Sequence, residues 1–234
     1  MKRLLRTLQL RPQTLPPWLL LAALIVAALG YWGPWVAHAS PALTLLGLDM
    51  AEYVKFLPAV QQGRIRLIRE LFYLPLAGLS LDLTTLAVGW SQTRHWSRWG
   101  LLLLAVPTAL AMLPPAWTPQ LLWTPEFRTQ TWMIIGCLGA TVLGATSLAG
   151  LLPPLPSRPG LAWIGWLLAL ALLNLGAAIL PIRQFLQVRQ AIAYVYGGHI
   201  QLGTGLALTP LGLLMATGTL VWWAWNLFSS GLSR

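Results

Sequence analysis

"LFYLPLAGLSLDLTTLAVGW", residues 71–90, decides the fold class. These twenty consecutive residues carry one charge, Asp82. At about 1.5 Å per residue, a helix of this length covers the roughly 30 Å hydrocarbon core of a bilayer. Nor does the stretch alternate polar and apolar side chains over about ten residues, as a strand of a membrane barrel would. It reads as a transmembrane helix.

The same pattern recurs along the chain. Six candidate spans follow from it: Trp18–Trp35, Leu71–Trp90, Trp99–Trp117, Trp132–Leu152, Leu161–Leu180 and Leu202–Trp222. The 234 residues are 57% hydrophobic and only 9% charged, against about a quarter charged in globular domains. The expected fold class is all-α: a polytopic α-helical integral membrane protein, forming a single transmembrane domain over 1–234. Many of the fourteen tryptophans, among them Trp18, Trp35, Trp90, Trp99, Trp117, Trp132 and Trp222, stand at span ends. Tryptophan favours both membrane–water interfaces, so they read as anchoring belts. The two halves have three spans each but no residue-level similarity, which argues against an inverted repeat.

The formal net charge is +10. The basic residues sit in ends and loops and form no compact domain, so nucleic acid is excluded as a partner and anionic headgroups are expected instead. Lys2, Arg3, Arg6 and Arg11 precede the first span without an acid. By the positive-inside rule the N-terminus is cytoplasmic, and six spans return Arg234 to the same side. On this reading eight basic residues lie inside and seven outside. Four of the outer seven (Lys55, Arg64, Arg66, Arg69) share one long loop, and Asp49, Glu52, Glu70 and Glu126 lie outside too. The expected location is a bacterial plasma membrane. "WVAHAS", residues 35–40, mimics a signal-peptidase site. The Trp- and Pro-rich residues before it make an uncleaved first span the expectation.

The long outer loop, residues 40–70, opens with Ser40 as an N-cap and Pro41 at the first helical position. Asp49, Glu52 and Lys55 recur every three residues among apolar neighbours, and Pro58 follows. This predicts an amphipathic interfacial helix over about 41–57. Asp49, Glu52 and Lys55 form a candidate outer-face interaction site. The carboxylates of Asp49 and Glu52, one turn apart, suit acid–base chemistry, but a solvated stripe with a Glu52–Lys55 surface pair is the simpler explanation and the one expected. Arg66 and Glu70 have i,i+4 spacing, and Arg64, Arg66 and Arg69 are expected to meet headgroups.

Asp82 lies eleven residues from Leu71 and eight from Trp90, near the bilayer centre. A carboxylate facing lipid there costs about 2.5–3.5 kcal/mol even on the lenient insertion scale. It must face protein or water, or be protonated. Pro75, Gly78, Asp82, Thr85 and Gly89 are spaced 3, 4, 3, 4, making one stripe of small or polar residues that invites close helix approach. Gly78, Asp82, Thr85, Gly89 and Asn174 are the candidate intramembrane site, with Thr85 placed to hydrogen-bond Asp82. The fourth span offers a matching surface in Gly136-x-x-x-Ala140-x-x-x-Gly144, beside Cys137 and Thr141. With Leu180 as the outer end of the fifth span, Asn174 and Asp82 differ in depth by about 7–8 Å, which requires tilt or a bridging water. The sixth span carries a small face at Thr209-Pro210, Gly212 and Ala216 to Thr219.

No nucleotide-binding, hydrolase or metalloprotease motif appears. The one cysteine, Cys137, makes no metal cluster, and His38, His95 and His199 fall in loops. No catalytic residue, cofactor or metal is therefore expected. The expected function is a non-enzymatic membrane subunit or scaffold that packs with partner membrane proteins, in a transporter or energy-converting complex. One alternative is an autonomous proton- or cation-coupled transporter using Asp82. Another is an outer-face enzyme acting on lipid or envelope substrates.

Overall fold

The structure, a computed structural model, describes residues 15–38, 43–90, 93–151 and 160–232. Its long helices are α1 (Leu15–Tyr31), α2 (Leu74–Gly89), α3 (His95–Leu110), α4 (Arg128–Leu148), α5 (Leu161–Val195) and α6 (Gly205–Leu232). Among the described residues four stretches are long and apolar enough to cross a membrane: Arg69–Gly89, Arg128–Leu148, Leu161–Val195 and Gly205–Ser230. α1 and α3, with 17 and 16 residues, are shorter. α1 stops before the predicted Trp35 because Pro34 opens a strand, β1 (Pro34–Ala37). α3 starts earlier than predicted, at His95, and ends at Leu110, ahead of Pro114 and Pro115.

α2 is the hub and the most enclosed of the four membrane-length stretches. It packs on α3, α4, α5 and α1. A helix without a polar face is stable only when surrounded, and α2 buries residues around its whole circumference, from Leu76 and Ala77 to Thr84 and Leu86. Its C-terminal carbonyls are capped from α3: Arg98 Nε donates to Ala87 O at 2.7 Å and Nη2 to Val88 O at 2.9 Å. A cation at a helix C-terminus also meets the negative end of the helix dipole.

α1 and α6 pack backbone to backbone. A Cβ on Gly30 would fall on Leu208 and Thr209, and one on Gly212 on Ala23 and Ala27. Of the predicted small face on the sixth span, Gly212 and buried Ala216 fall within the helix contacts, whereas Gly218 has open space around it.

At one end of the bundle sits a small cap. β1 is the centre of a three-stranded antiparallel sheet, with β2 (Leu45–Leu46) and β3 (Gln201–Leu202) on its two sides. Fully buried Trp35 meets Tyr31, Phe72 and Phe185 edge-on, with ring centroids 6.0–6.3 Å apart. Tyr31 OH donates to Phe72 O at 2.8 Å.

The helix predicted over 41–57 takes another form. Ser40 and Pro41 lie outside the described residues. Beyond them come β2, a single turn of helix (Met50–Tyr53), a 3-10 turn (Val54–Phe56) and a further helical turn (Pro58–Gln61). Met50, Ala51, Val54 and Leu57 are all nearly or fully buried in the cap core. Strand pairing of Leu45 and Leu46 with β1 displaces helical hydrogen bonding there, so local periodicity yields to tertiary contacts.

Candidate functional site

The stripe on α2 faces α5 and α6. Asp82 and Asn174 are both fully buried, and Asn174 Nδ2 donates to Asp82 Oδ2 at 2.8 Å. The depth gap inferred from the sequence is absent. α5 does not end near Leu180; it continues fifteen residues further, to Val195, so Leu180 is no guide to depth. Gly78, one turn before Asp82, makes the room: its missing Cβ would collide with Asn174 Oδ1. Among the described residues, Asp82 Oδ1 and Asn174 Oδ1 have no hydrogen-bond partner. No ion pair among the described residues reaches Asp82.

Thr85 does not bond to Asp82. It donates to Leu81 O at 2.8 Å, as helical threonines commonly do, and accepts from Trp166 Nε1 at 2.9 Å. Gly89 lies under Trp223 and Trp163 at the other end of the stripe. The fourth span meets a different face of α2. Thr141 Oγ1 is 3.1 Å from Thr84 Oγ1, Cys137 Sγ lies 3.9 Å from Ala77 O, and Gly144 packs on Thr84 and Val88. Ser80 Oγ donates to Ala105 O on α3 at 2.9 Å. Every polar side chain of α2 is thus engaged within the chain, and Asp82 has the fewest partners for its oxygens.

The second cluster is in the cap, and Arg69 organises it. Its side chain is 9% exposed, a correction to the expectation that it meets headgroups. Nη2 donates to Glu126 O at 2.6 Å, and Nη1 lies 3.5 Å from Glu52 Oε1 and 3.4 Å from Glu126 Oε1. Nε is 3.4 Å from Glu70. The guanidinium stacks on Phe127 at 4.5 Å, with Lys55 Nζ 5.0 Å from the same ring. Glu52 accepts from Tyr73 OH at 2.8 Å and pairs with Lys55 at 2.6 Å, as its spacing predicts.

Asp49 stands apart, accepting a long 3.4 Å bond from Leu46 N. The paired-carboxylate arrangement of Asp49 and Glu52 is therefore not formed. Arg66 does not meet Glu70 either, because residues 63–68 are not helical and i,i+4 neighbours do not converge. Glu126, Phe127 and Tyr73 escaped sequence reasoning, since Arg69 and Glu126 are 57 residues apart and no local pattern links them. Gln184, which accepts from Ile68 N at 3.3 Å, and Gln130, which donates to Met112 O, likewise fasten the cap to the helices. No set of three or more His, Cys, Asp or Glu is placed to hold a metal among the described residues.

Comparison of the chain with known protein families, with curated proteins and with solved structures finds no match.

Proposed function

We propose that this chain is a non-enzymatic integral membrane subunit with six transmembrane helices, which packs laterally against a partner membrane protein. The observation that carries this reading is the outward face of α4. Trp132, Gly136, Gly139 and Leu143 are exposed on it, and a Cβ on either glycine would meet nothing within 4 Å. Within the chain, glycines such as Gly30 and Gly212 let helix backbones touch. An open groove of the same kind suits a partner helix, because close backbone approach drives association where lipid removes the hydrophobic incentive.

Six spans are supported by parity. Lys55 and Arg69, before α2, contact Glu126, after α3. Their segments therefore share one side of the membrane, so if α2 crosses, α3 crosses back. Ile68 contacts Gln184 on α5, and β1 pairs with β3, which extends the same parity through α4 and α5. The cap segments, 43–73 included, would then lie on the outer interface of a bacterial plasma membrane, with both termini cytoplasmic. The alternatives have less support. A transporter working through Asp82 needs access to a residue that has no exposed surface. An outer-face enzyme needs a free carboxylate, and Glu52 is held by Tyr73, Lys55 and Arg69.

Purification from native membranes in mild detergent tests the reading. A second membrane protein should co-purify in fixed ratio. Gly136→Leu and Gly139→Leu should release it while leaving the chain's helicity and thermal midpoint unchanged. Recovery of the lone chain, or a complex indifferent to both substitutions, defeats the proposal.

A further inference from the structure

The cap carries a groove that none of the contacts above uses. Its volume is about 400 Å³, and it is lined by Leu186, Arg189, Gln190 and Ala193 of α5 together with Gly198, His199 and Ile200. The four α5 residues follow i, i+3, i+4, i+7 spacing, so they form one helix face. The chain then turns back on itself. Gly197 and Gly198 have φ of +79° and +114°, conformations that suit glycine. Gly198 N donates to Ala193 O at 2.8 Å and Gly197 N to Tyr194 O at 3.3 Å, closing the helix end. This pinned turn sets His199 and Ile200 alongside the Arg189 face.

The groove's charge is one-sided. Among the described residues no acidic side chain lines it. The acids of the cap are committed elsewhere: Glu52, Glu70 and Glu126 to the Arg69 cluster, and Asp49 to Leu46 N. The ion pairs among the described residues involve only Lys55 and Arg69 as cations, so Arg189 keeps an uncommitted guanidinium. Arg189 offers a planar fork of donors that matches a phosphate, and Gln190 and His199 add side-chain N–H donors. Leu186, Ala193 and Ile200 supply an apolar wall for whatever the phosphate is attached to. The negative dipole end of α5 lies beyond Arg189, and the amides of Gly197 and Gly198 occupy two of its carbonyls.

We propose that this groove binds the phosphate of an amphiphilic or small phosphoester, with Arg189 as the principal contact and Gln190 and His199 as supporting donors. Both a phospholipid headgroup and a soluble phosphoester fit the location. Arg189, Gln190 and His199 are all exposed, so the groove can be reached from its surroundings.

The test uses the full chain in mild detergent. In one arm, inorganic phosphate is titrated calorimetrically. In the other, the chain is placed in phosphatidylcholine nanodiscs with or without phosphatidylglycerol, and retained phosphatidylglycerol is counted by native mass spectrometry. Saturable one-to-one binding in the first arm supports a soluble phosphoester, and selective retention in the second supports a headgroup. Arg189→Ala should weaken whichever is seen by about tenfold or more, the loss of a charge-assisted bond. His199→Ala should weaken it less. Arg183→Ala removes an exposed cation of the same helix that does not line the groove, and should leave binding unchanged. Absence of saturable binding in both arms overturns the proposal. So does binding that survives Arg189→Ala, or that falls equally with Arg183→Ala.

Discussion

Asp82 and Asn174 form a pair in which one hydrogen bond is made and two oxygens are left over. An unsatisfied buried polar atom costs about 1–3 kcal/mol. An amide at position 82 would accept from Asn174 Nδ2 as the carboxylate does, and it carries no charge to bury. Asp82→Asn should therefore keep or raise the thermal midpoint in detergent. Asn174→Leu removes the one hydrogen-bond partner that Asp82 has among the described residues and should lower stability by about 1–3 kcal/mol. Gly78 couples to the same pair. Gly78→Ala should destabilise the wild-type chain and do so much less in an Asn174→Ala background, where Oδ1 is gone. Equal costs in both backgrounds would refute the account. The Pro75–Gly78–Asp82–Thr85–Gly89 spacing made this hidden face legible. Asn174 belongs to the same candidate site, but its direct bond to Asp82 was not legible, because its depth is counted from Leu180, an end that α5 runs past.

At the scale of elements, the runs that read as α2, α4, α5 and α6 were visible because lipid demands long continuous apolar helices. The cap was not, because it follows the rules of a water-facing domain. Its strands are two to four residues long, and its turns are held by contacts distant in sequence. The Arg69 cluster ties three of these segments: the turn at Glu52 and Lys55, the entry to α2, and the approach to α4 at Glu126 and Phe127. Removing one partner from a fully buried ion pair costs about 3–5 kcal/mol, and less where, as at Glu126, the other partner is half exposed to solvent. Arg69→Ala should lower cap stability by an amount of that order, and trypsin should cut at Arg64 and Arg66 sooner. Arg69→Lys should recover little, because an ammonium cannot serve Glu70, Glu126 and the Phe127 face from one plane. Unchanged proteolysis in Arg69→Ala would show that the sheet and Trp35 hold the cap without it.

For the molecule as a whole, the contacts within the cap bind the topology together. The loop after α1, the loop after α3 and the end of α5 meet in one cluster of side chains. They can do so only if an even number of crossings separates each pair. α3 is the critical element, since its 16 residues reach only about 24 Å as a helix, less than the roughly 30 Å core. The turn after Leu110 adds to the length of the segment, and local thinning of the bilayer absorbs modest mismatch. Cysteine labelling of intact bacterial cells decides the matter, in a Cys137→Ser background that removes the one native thiol. Gln62→Cys, Gln120→Cys and His199→Cys should all react with a membrane-impermeant maleimide applied from outside. Ser97→Cys should react only after the cells are permeabilised. Labelling of Gln62→Cys with protection of Gln120→Cys would remove α3 from the spans. Labelling of Ser97→Cys alone would keep the parity and invert the molecule, placing the cap and its Arg189 groove in the cytoplasm.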